Sequence, residues 1–275
     1  MELERTRRAL GTLGLGLCAI SCDSVEILRE FAARRGITFP MLSDPASAII
    51  RLFGIFNERV EPTSRDYGIP HPGIYLVDAS GVVRERFFEE RYYHRLTMPS
   101  VLWRLGAGMA VEHAASRRDH VQIRTAATQA AVHPGNRLTL LVEITPAPRV
   151  HVYGPEVSSG YQGLAVTVDP QPHLTVYPAR YPPARALALP WTDEVLAGYT
   201  DPVRVEIDVA LGTRQELAGL LEAGQGLVLT GTCSLQTCDD RVCWPPESVR
   251  IEWRFELTSP DLVRSPESLQ HKARI

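Results

Sequence analysis

The sequence predicts two domains, an α/β domain followed by an all-β sandwich, and three observations carry the prediction. The chain has 275 residues, 44% of them apolar and 22% charged, which is ordinary for globular protein and enough for two separate cores. Roughly the first hundred residues alternate short apolar runs with helix start and stop signals. From Val121 onward prolines become frequent, short alternating runs recur between turn residues, and helix signals nearly vanish.

The elements follow in order. Leu15–Ile20 is a short apolar run suited to a strand buried on both faces, with Cys18 in the core. Asp23 with Glu26 reads as a capping box for a helix that buries Ile27, Leu28, Phe31 and Ala32, and Gly36 stands where a left-handed residue ends it. Ile37–Leu42 extends. Asp44 and Pro45 start a second helix that buries Ile49, Leu52 and Phe53 and stops at Gly54. Ile74–Val77, the turn Asp78–Gly81 and Val82–Phe88 form a hairpin pattern, and Met98–Leu105 suits a closing helix. Residues 1–105 therefore form the first domain. The Ala-, Gly-, Arg- and His-rich stretch 106–120 reads as a linker. Residues 121–258 form the sandwich, with strand-like runs at Leu138–Ile144, Leu164–Val168, Val203–Val209 and Leu227–Leu235, and 259–275 reads as a tail.

Bulk properties narrow the function. Twenty-nine basic against 32 acidic residues give a net charge of −3 with no basic run, which excludes a phosphate-tracking surface and nucleic acid as a partner. No apolar run reaches the roughly 18 residues of a membrane helix. Arg5, Arg7 and Arg8 before Leu10–Cys22 have the outline of an export signal, but Gly11, Gly14 and Gly16 interrupt it and no small-x-small cleavage site follows. Five cysteines, Cys18, Cys22, Cys233, Cys238 and Cys243, are too few for a disulfide scaffold and odd in number, so sparse redox or metal chemistry is the better expectation.

Leu227–Leu257 is the most informative segment. Leu227, Leu229, Cys233 and Leu235 share one face of its first half, and Val249, Ile251, Trp253, Phe255 and Leu257 share one face of its second. Cys238 and Cys243 flank the turn Asp239–Val242, and a tight reversal brings such a pair within disulfide reach. A loop of about six residues returns only about 2 kcal/mol in the chain-entropy model, little for a staple. Asp239 and Asp240 oppose a thiolate there and Arg241 favours one, so no strongly depressed thiol is expected. Pro245 and Pro246 hold Trp244 near the sulfurs as a docking or shielding surface. Spacing alone leaves open a structural disulfide, two unpaired thiols or an exchange site. A zinc site with Cys233 is a weaker rival, because Cys233 shares a face with leucines and no histidine is near in sequence.

The run from Gln236 to Pro246, with Cys238, Cys243, Trp244 and Pro245 in it, resembles the signature of the DsbD N-terminal domain, as do His151–Pro155 and Tyr177–Pro183. The resemblance implies an immunoglobulin-like sandwich in which Cys238 and Cys243 are the redox pair, passing electrons between a membrane-embedded thiol–disulfide partner and thioredoxin-like proteins. It implies a cap loop that shields the pair, beginning at Asp193 and Glu194; Val195 and Leu196 then stand where an aromatic is usual, and Trp191 and Tyr199 are the aromatics nearby. The intercysteine spacing is one residue shorter than usual. That family works in the oxidising cell envelope.

Ala19–Ser21, Asp23–Ser24, Gly36–Pro40, Leu42–Asp44 and Tyr67–Gly81 resemble the peroxiredoxin-like AhpC/TSA branch of the thioredoxin fold. The resemblance implies that Pro72 is the proline held cis beside a thioredoxin-fold active site. It also implies a first strand and an active-site cysteine upstream of everything in this sequence, so the domain is expected to be N-terminally truncated. Cys18 and Cys22 do not replace that cysteine as a pair, since four extended residues span about 13 Å. Cys22, at a strand's carboxyl end, is the remaining redox candidate there.

The expected function is thiol–disulfide oxidoreduction through Cys238 and Cys243 with thioredoxin-like or membrane partners, calling for no cofactor and no metal. Two alternatives stand beside it: a peroxiredoxin-type antioxidant protein whose catalytic cysteine is missing from this chain, and a non-catalytic module that docks a redox partner.

Overall fold

A computed structural model describes residues 2–64, 66–88, 93–157, 160–188, 195–260, 263 and 266–267. The chain divides into two compact units, Met1–Ala107 with Pro260–Ile275, and Gly108–Ser259.

The first unit runs α1 (Glu2–Thr12), β1 (Ala19–Ser21), α2 (Val25–Arg35), β2 (Met41–Ser43), α3 (Ala48–Leu52), β3 (Gly73–Val77), β4 (Val83–Phe88), β5 (Arg95–Leu96) and α4 (Met98–Arg104). β1 and β2 pair in parallel, and β3 and β4 form the expected hairpin. Asp78 closes that hairpin by accepting from the Ser80 and Val82 amides, at 2.9 and 3.0 Å, while Gly81 takes a positive φ of 85°. The core gathers Leu10, Phe87, Met98, Val101 and Leu102.

Several expectations are corrected here. α2 is capped by Ser24, whose side chain accepts from the Ile27 amide, one residue later than the Asp23 box, whereas Gly36 ends the helix in the left-handed region as expected. Asp44 does open α3, accepting from the Ala48 and Ile50 amides at 2.9 and 2.8 Å, but this sets a phase that buries Ile50 and leaves Ile49 and Leu52 exposed. Cys18 is exposed. β1 has Ile20 exposed between half-buried Ala19 and Ser21, so it is not a strand covered on both faces. No described peptide bond is cis, so the bond before Pro72 is trans, its loop turning instead through Gly68 at positive φ and the His71 amide bond to the Ile55 carbonyl.

The second unit runs β6 (Val111–Arg117), β7 (Val121–Ala127), β8 (Ala131–Val132), β9 (Asn136–Pro146), β10 (His151–Tyr153), β11 (Ala165–Val168), β12 (Leu174–Val176), β13 (Arg185–Ala188), β14 (Val195–Tyr199), β15 (Val203–Leu211), α5 (Ala218–Glu222), β16 (Leu227–Leu235), β17 (Thr237–Cys238) and β18 (Glu247–Leu257). One sheet has the order β12-β15-β9-β7-β6 and faces another of order β11-β16-β18-β8. Trp253, fully buried, lies between them and donates to the Ala126 carbonyl at 3.0 Å. β6 occupies part of the stretch 106–120: its residues pair with β7, so that stretch carries an edge strand of the sandwich where a linker was expected.

A third, small sheet, β13-β14-β10-β17, positions the cysteines. β16 and β18 pair as far as Leu235 opposite Glu247, and the chain then leaves that ladder. Thr237–Cys238 pairs with β10 instead, His151 opposite Cys238 and Val152 opposite Thr237. The cysteine turn is therefore not a plain hairpin tip but an excursion onto a second sheet. Gln236 stitches the crossing: its side chain accepts from the Gln162 amide at 3.0 Å and donates to the Trp244 carbonyl at 3.1 Å.

Candidate functional site

Alternation along β10, β14 and β17 sorts residues to two sides of the small sheet. Val152, Tyr199 and Thr237 turn one way, and Val152 and Tyr199 join the main sandwich core. His151, Tyr153, Leu196 and Cys238 turn the other way, and Tyr153, Leu187, Leu196 and Cys238 make a separate apolar cluster flanked by Val157 and Tyr161.

Cys238 and Cys243 are joined in a disulfide with Cα atoms 4.1 Å apart. The turn between them is built by Asp239, whose carboxylate accepts from the amides of Arg241 and Val242, each at 2.7 Å, and whose own amide donates to the Val242 carbonyl at 2.9 Å. The Trp244 amide closes on the Thr237 carbonyl at 3.0 Å. The bonds from the Val242 and Arg241 amides to its charged form hold the Asp239 carboxyl below its ordinary range. Asp239 thus serves the backbone, a role that charge counting around the cysteines did not suggest.

The two sulfurs differ in setting. Cys238 is fully buried and Cys243 is exposed. The Tyr153 hydroxyl, itself fully buried, donates to Cys238 Sγ at 3.1 Å and lies 3.9 Å from Cys243 Sγ. Burial pushes the Tyr153 phenol up to about 12, with the nearby Tyr161 adding to it, so the hydroxyl keeps its proton and stays a donor. Tyr161 packs on Tyr153 at 4.6 Å between ring centroids, and His151 meets Tyr153 edge-on at 5.1 Å.

The other predicted residues take varied places. Trp244 stacks on His120, with ring centroids 4.7 Å apart and planes 16° from parallel, and His120 Nε2 lies 2.7 Å from Glu247 Oε1. Pro245 is exposed beside it. Tyr199 does not shield the disulfide: lying on the opposite side of β14 from Leu196, it enters the main core and donates to the Pro182 carbonyl at 2.7 Å. Trp191, Asp193 and Glu194 lie outside the described residues. Among the described residues, Leu196 and Leu187 pack in the apolar cluster of Cys238 and Tyr153, a contribution that no search for aromatics would have found. Cys233 sits in the main core, fully buried, and burial pushes its thiol up to about 12. Cys22 is buried in the first unit, where burial first and then the Asp23 charge push its thiol up to about 11. Among the described residues, no cluster of three or more His, Cys, Asp or Glu is arranged to hold a metal ion.

Tyr153 and His151 were visible only as letters of a family-like run, since nothing in local spacing ties residues 151 and 153 to a cysteine 85 positions on from Tyr153.

Residues 1–86 match the model of the AhpC/TSA family, and residues 118–253 match that of the N-terminal domain of thiol:disulfide interchange protein DsbD. The chain is 28% identical over 96 residues to the Haemophilus influenzae protein named as peroxiredoxin bcp, covering 34% of this chain and 61% of that one. It is 33% identical over 76 residues to a Mycobacterium tuberculosis protein named as a peroxiredoxin, covering 26% and 45%. The chain thus spans about half to three fifths of these relatives. Among solved structures, the N-terminal periplasmic domain of ScsB from Proteus mirabilis matches with a TM-score of 0.37 and 16% identity over 54% of this chain and 52% of that one. The reduced N-terminal domain of Neisseria meningitidis DsbD matches with a TM-score of 0.29 and 14% identity over 42% and 77%. The chain therefore joins a peroxiredoxin-like AhpC/TSA region to a DsbD N-terminal-like region, and its second unit carries the Cys238–Cys243 disulfide.

Proposed function

We propose that this protein is a thiol–disulfide oxidoreductase that passes electrons through Cys238 and Cys243, and that an incoming thiolate attacks Cys243. The observation that carries the reading is the unequal setting of the two sulfurs: Cys243 is exposed, while Cys238 is buried under a tyrosine hydroxyl. Attack needs access along the sulfur–sulfur axis, which only an exposed sulfur offers, and the sulfur that leaves must carry negative charge. A buried thiolate is costly unless a donor meets it, and Tyr153 stands at that position.

The partners that suit this site are thioredoxin-like proteins or a membrane-embedded dithiol, following the likeness of residues 118–253 to the DsbD N-terminal domain. No described helix is long and apolar enough to cross a membrane. Trp244 and Pro245, next to the exposed sulfur, are the docking surface in this reading. A peroxidase reading has less support, because among the described residues of the first unit Cys22 has a raised thiol and Cys18 no observed partner cysteine.

Reduction by dithiothreitol and by a reduced thioredoxin tests the proposal. A carrier is reduced by both and, once reduced, reoxidised by a second thioredoxin-like disulfide. A pair that neither reagent opens in the folded protein would instead be a structural staple on a docking module.

A further inference from the structure

We infer that His151 is a positioning residue for the Cys238 sulfur, its Nε2 gaining a bond to Cys238 Sγ when the disulfide opens. The inference rests on the exchange reading above. His151 is buried and stands directly opposite Cys238 in antiparallel register. Such pairs share a face with Cβ atoms about 4.5 to 5.5 Å apart. The imidazole also packs edge-on against Tyr153, the donor to the same sulfur. In this oxidised state His151 Nε2 is buried and has no hydrogen-bond partner among the described residues.

A buried ring nitrogen left unpaired calls for an explanation. Disulfide sulfur has no proton to give and accepts weakly, whereas a thiolate accepts strongly and a thiol adds a donor. Opening the bond therefore creates at Cys238 the partner that Nε2 lacks. The groups facing His151 are Cys238 across the ladder, Tyr153 along its own strand and the Asp239 carboxylate at the turn. Burial favours the neutral imidazole more than usual and Asp239 partly opposes this, so the ring acts mainly as a neutral hydrogen-bonding group.

The electrons come from a partner dithiol. Its thiolate forms a bond to Cys243 Sγ, the Cys243–Cys238 bond breaks, and the electron pair leaves on Cys238 Sγ, which then accepts from Tyr153 Oη and from His151 Nε2–H. A proton from water neutralises that thiolate. The partner's second thiolate then attacks its own sulfur in the mixed disulfide, freeing Cys243 as a thiolate and leaving the partner oxidised.

Equilibration of the wild type, His151→Phe and His151→Gln against glutathione redox buffers at neutral pH tests this. Loss of the bond in His151→Phe is expected to move the equilibrium constant on the order of tenfold toward the disulfide, about 30 mV for a two-electron couple. His151→Gln keeps a polar end and is expected to recover most of that shift. An unshifted His151→Phe, or a Gln variant displaced as far as Phe, overturns the inference. In the unmodified protein, reciprocity requires the His151 titration midpoint seen by NMR to differ between disulfide and dithiol forms, and equal midpoints overturn it whether or not the variants fold. A pair that cannot be reduced in any of these proteins sinks the exchange reading itself, while a reducible pair indifferent to His151 sinks only this inference.

Discussion

The Tyr153 hydroxyl donates to Cys238 Sγ at 3.1 Å, with both residues fully buried in a cluster apart from the main sandwich core. This one bond couples β10, the fifth strand of the second unit, to the disulfide near its end. It also distinguishes the two sulfurs chemically, since the donor lies closer to the buried one.

Tyr153→Phe removes the donor and keeps the ring. A hydrogen bond to a charged group is worth about 1.5 to 3 kcal/mol, so reduction by dithiothreitol is expected to slow by about tenfold or more. The oxidised protein, in which sulfur is a weak acceptor, should lose no more than about 1 kcal/mol in denaturant unfolding. Equal reduction rates in the two proteins would remove Tyr153 from the mechanism.

The single-cysteine variants should behave unequally. With Cys238→Ser, Cys243 is left as an exposed thiol and is expected to react fast with an aromatic disulfide probe, forming a mixed disulfide and releasing one equivalent of aromatic thiolate. With Cys243→Ser, the remaining thiol is buried, and its reaction with an aromatic disulfide probe should be at least about tenfold slower. Stopped-flow absorbance measures both, and equal rates would deny the asymmetry.

Asp239 gives the site an acid limit. Its carboxyl is depressed because the Val242 and Arg241 amides bond its charged form. A depressed carboxylate contributes stability that is present above its unfolded value of about 3.9 and is lost as pH falls through the lower folded value. The amide resonances of Arg241 and Val242 should therefore stay constant down to about pH 4 and shift together below it. Asp239→Ala should show the shifted resonances already at neutral pH.

Gly198 lies opposite Tyr153 in register, and a Cβ there would meet the Val152 carbonyl oxygen at 2.6 Å and also the Leu187 side chain. One contact is backbone and cannot swing away, so Gly198→Ala is expected to destabilise the second unit by about 1 to 3 kcal/mol. It should also loosen the Leu187 and Leu196 cover, raising the reactivity of the disulfide. Urea unfolding followed by Trp253 fluorescence gives the first quantity.

Cys22 should be slow toward electrophiles at neutral pH, with an alkylation rate that climbs until about pH 11. Because the folded thiol is raised above the ordinary cysteine value of about 8.5, any stability it contributes is present below that value and lost as pH rises through the folded value of about 11. Cys22→Ser should leave exchange at Cys238 and Cys243 unchanged, and a peroxidase activity abolished by this variant would reverse that view.

Much of this was legible from local sequence, and the errors have local causes. Strand alternation in Leu227–Leu235 and Glu247–Leu257 found both strands and put Cys233 on the core face, because period-two burial is written residue by residue. The phase of α3 was missed because Asp44 caps two amides at once and rotates Ile50 inward. β6 was missed because Val111–Arg117 is an edge strand with an exposed, irregular pattern, which leaves little periodicity to read. Tyr199 was misassigned because its side of β14 depends on register with Val152, which no neighbour in sequence reports.

The sequence by itself determined that the chain has an α/β part and a β-sandwich, that Cys238 and Cys243 lie across a tight turn, and that the turn is of a kind that brings two cysteines together. Those properties follow from short-range geometry, a few residues at a time. Only the tertiary structure decided that the turn crosses to a second sheet, that this sheet buries Cys238 while leaving Cys243 exposed, and that Tyr153 and His151 share the face of Cys238. The reason is physical: burial and hydrogen-bond reach are set by cross-strand register between segments more than eighty residues apart, and that register is settled only when the sandwich closes.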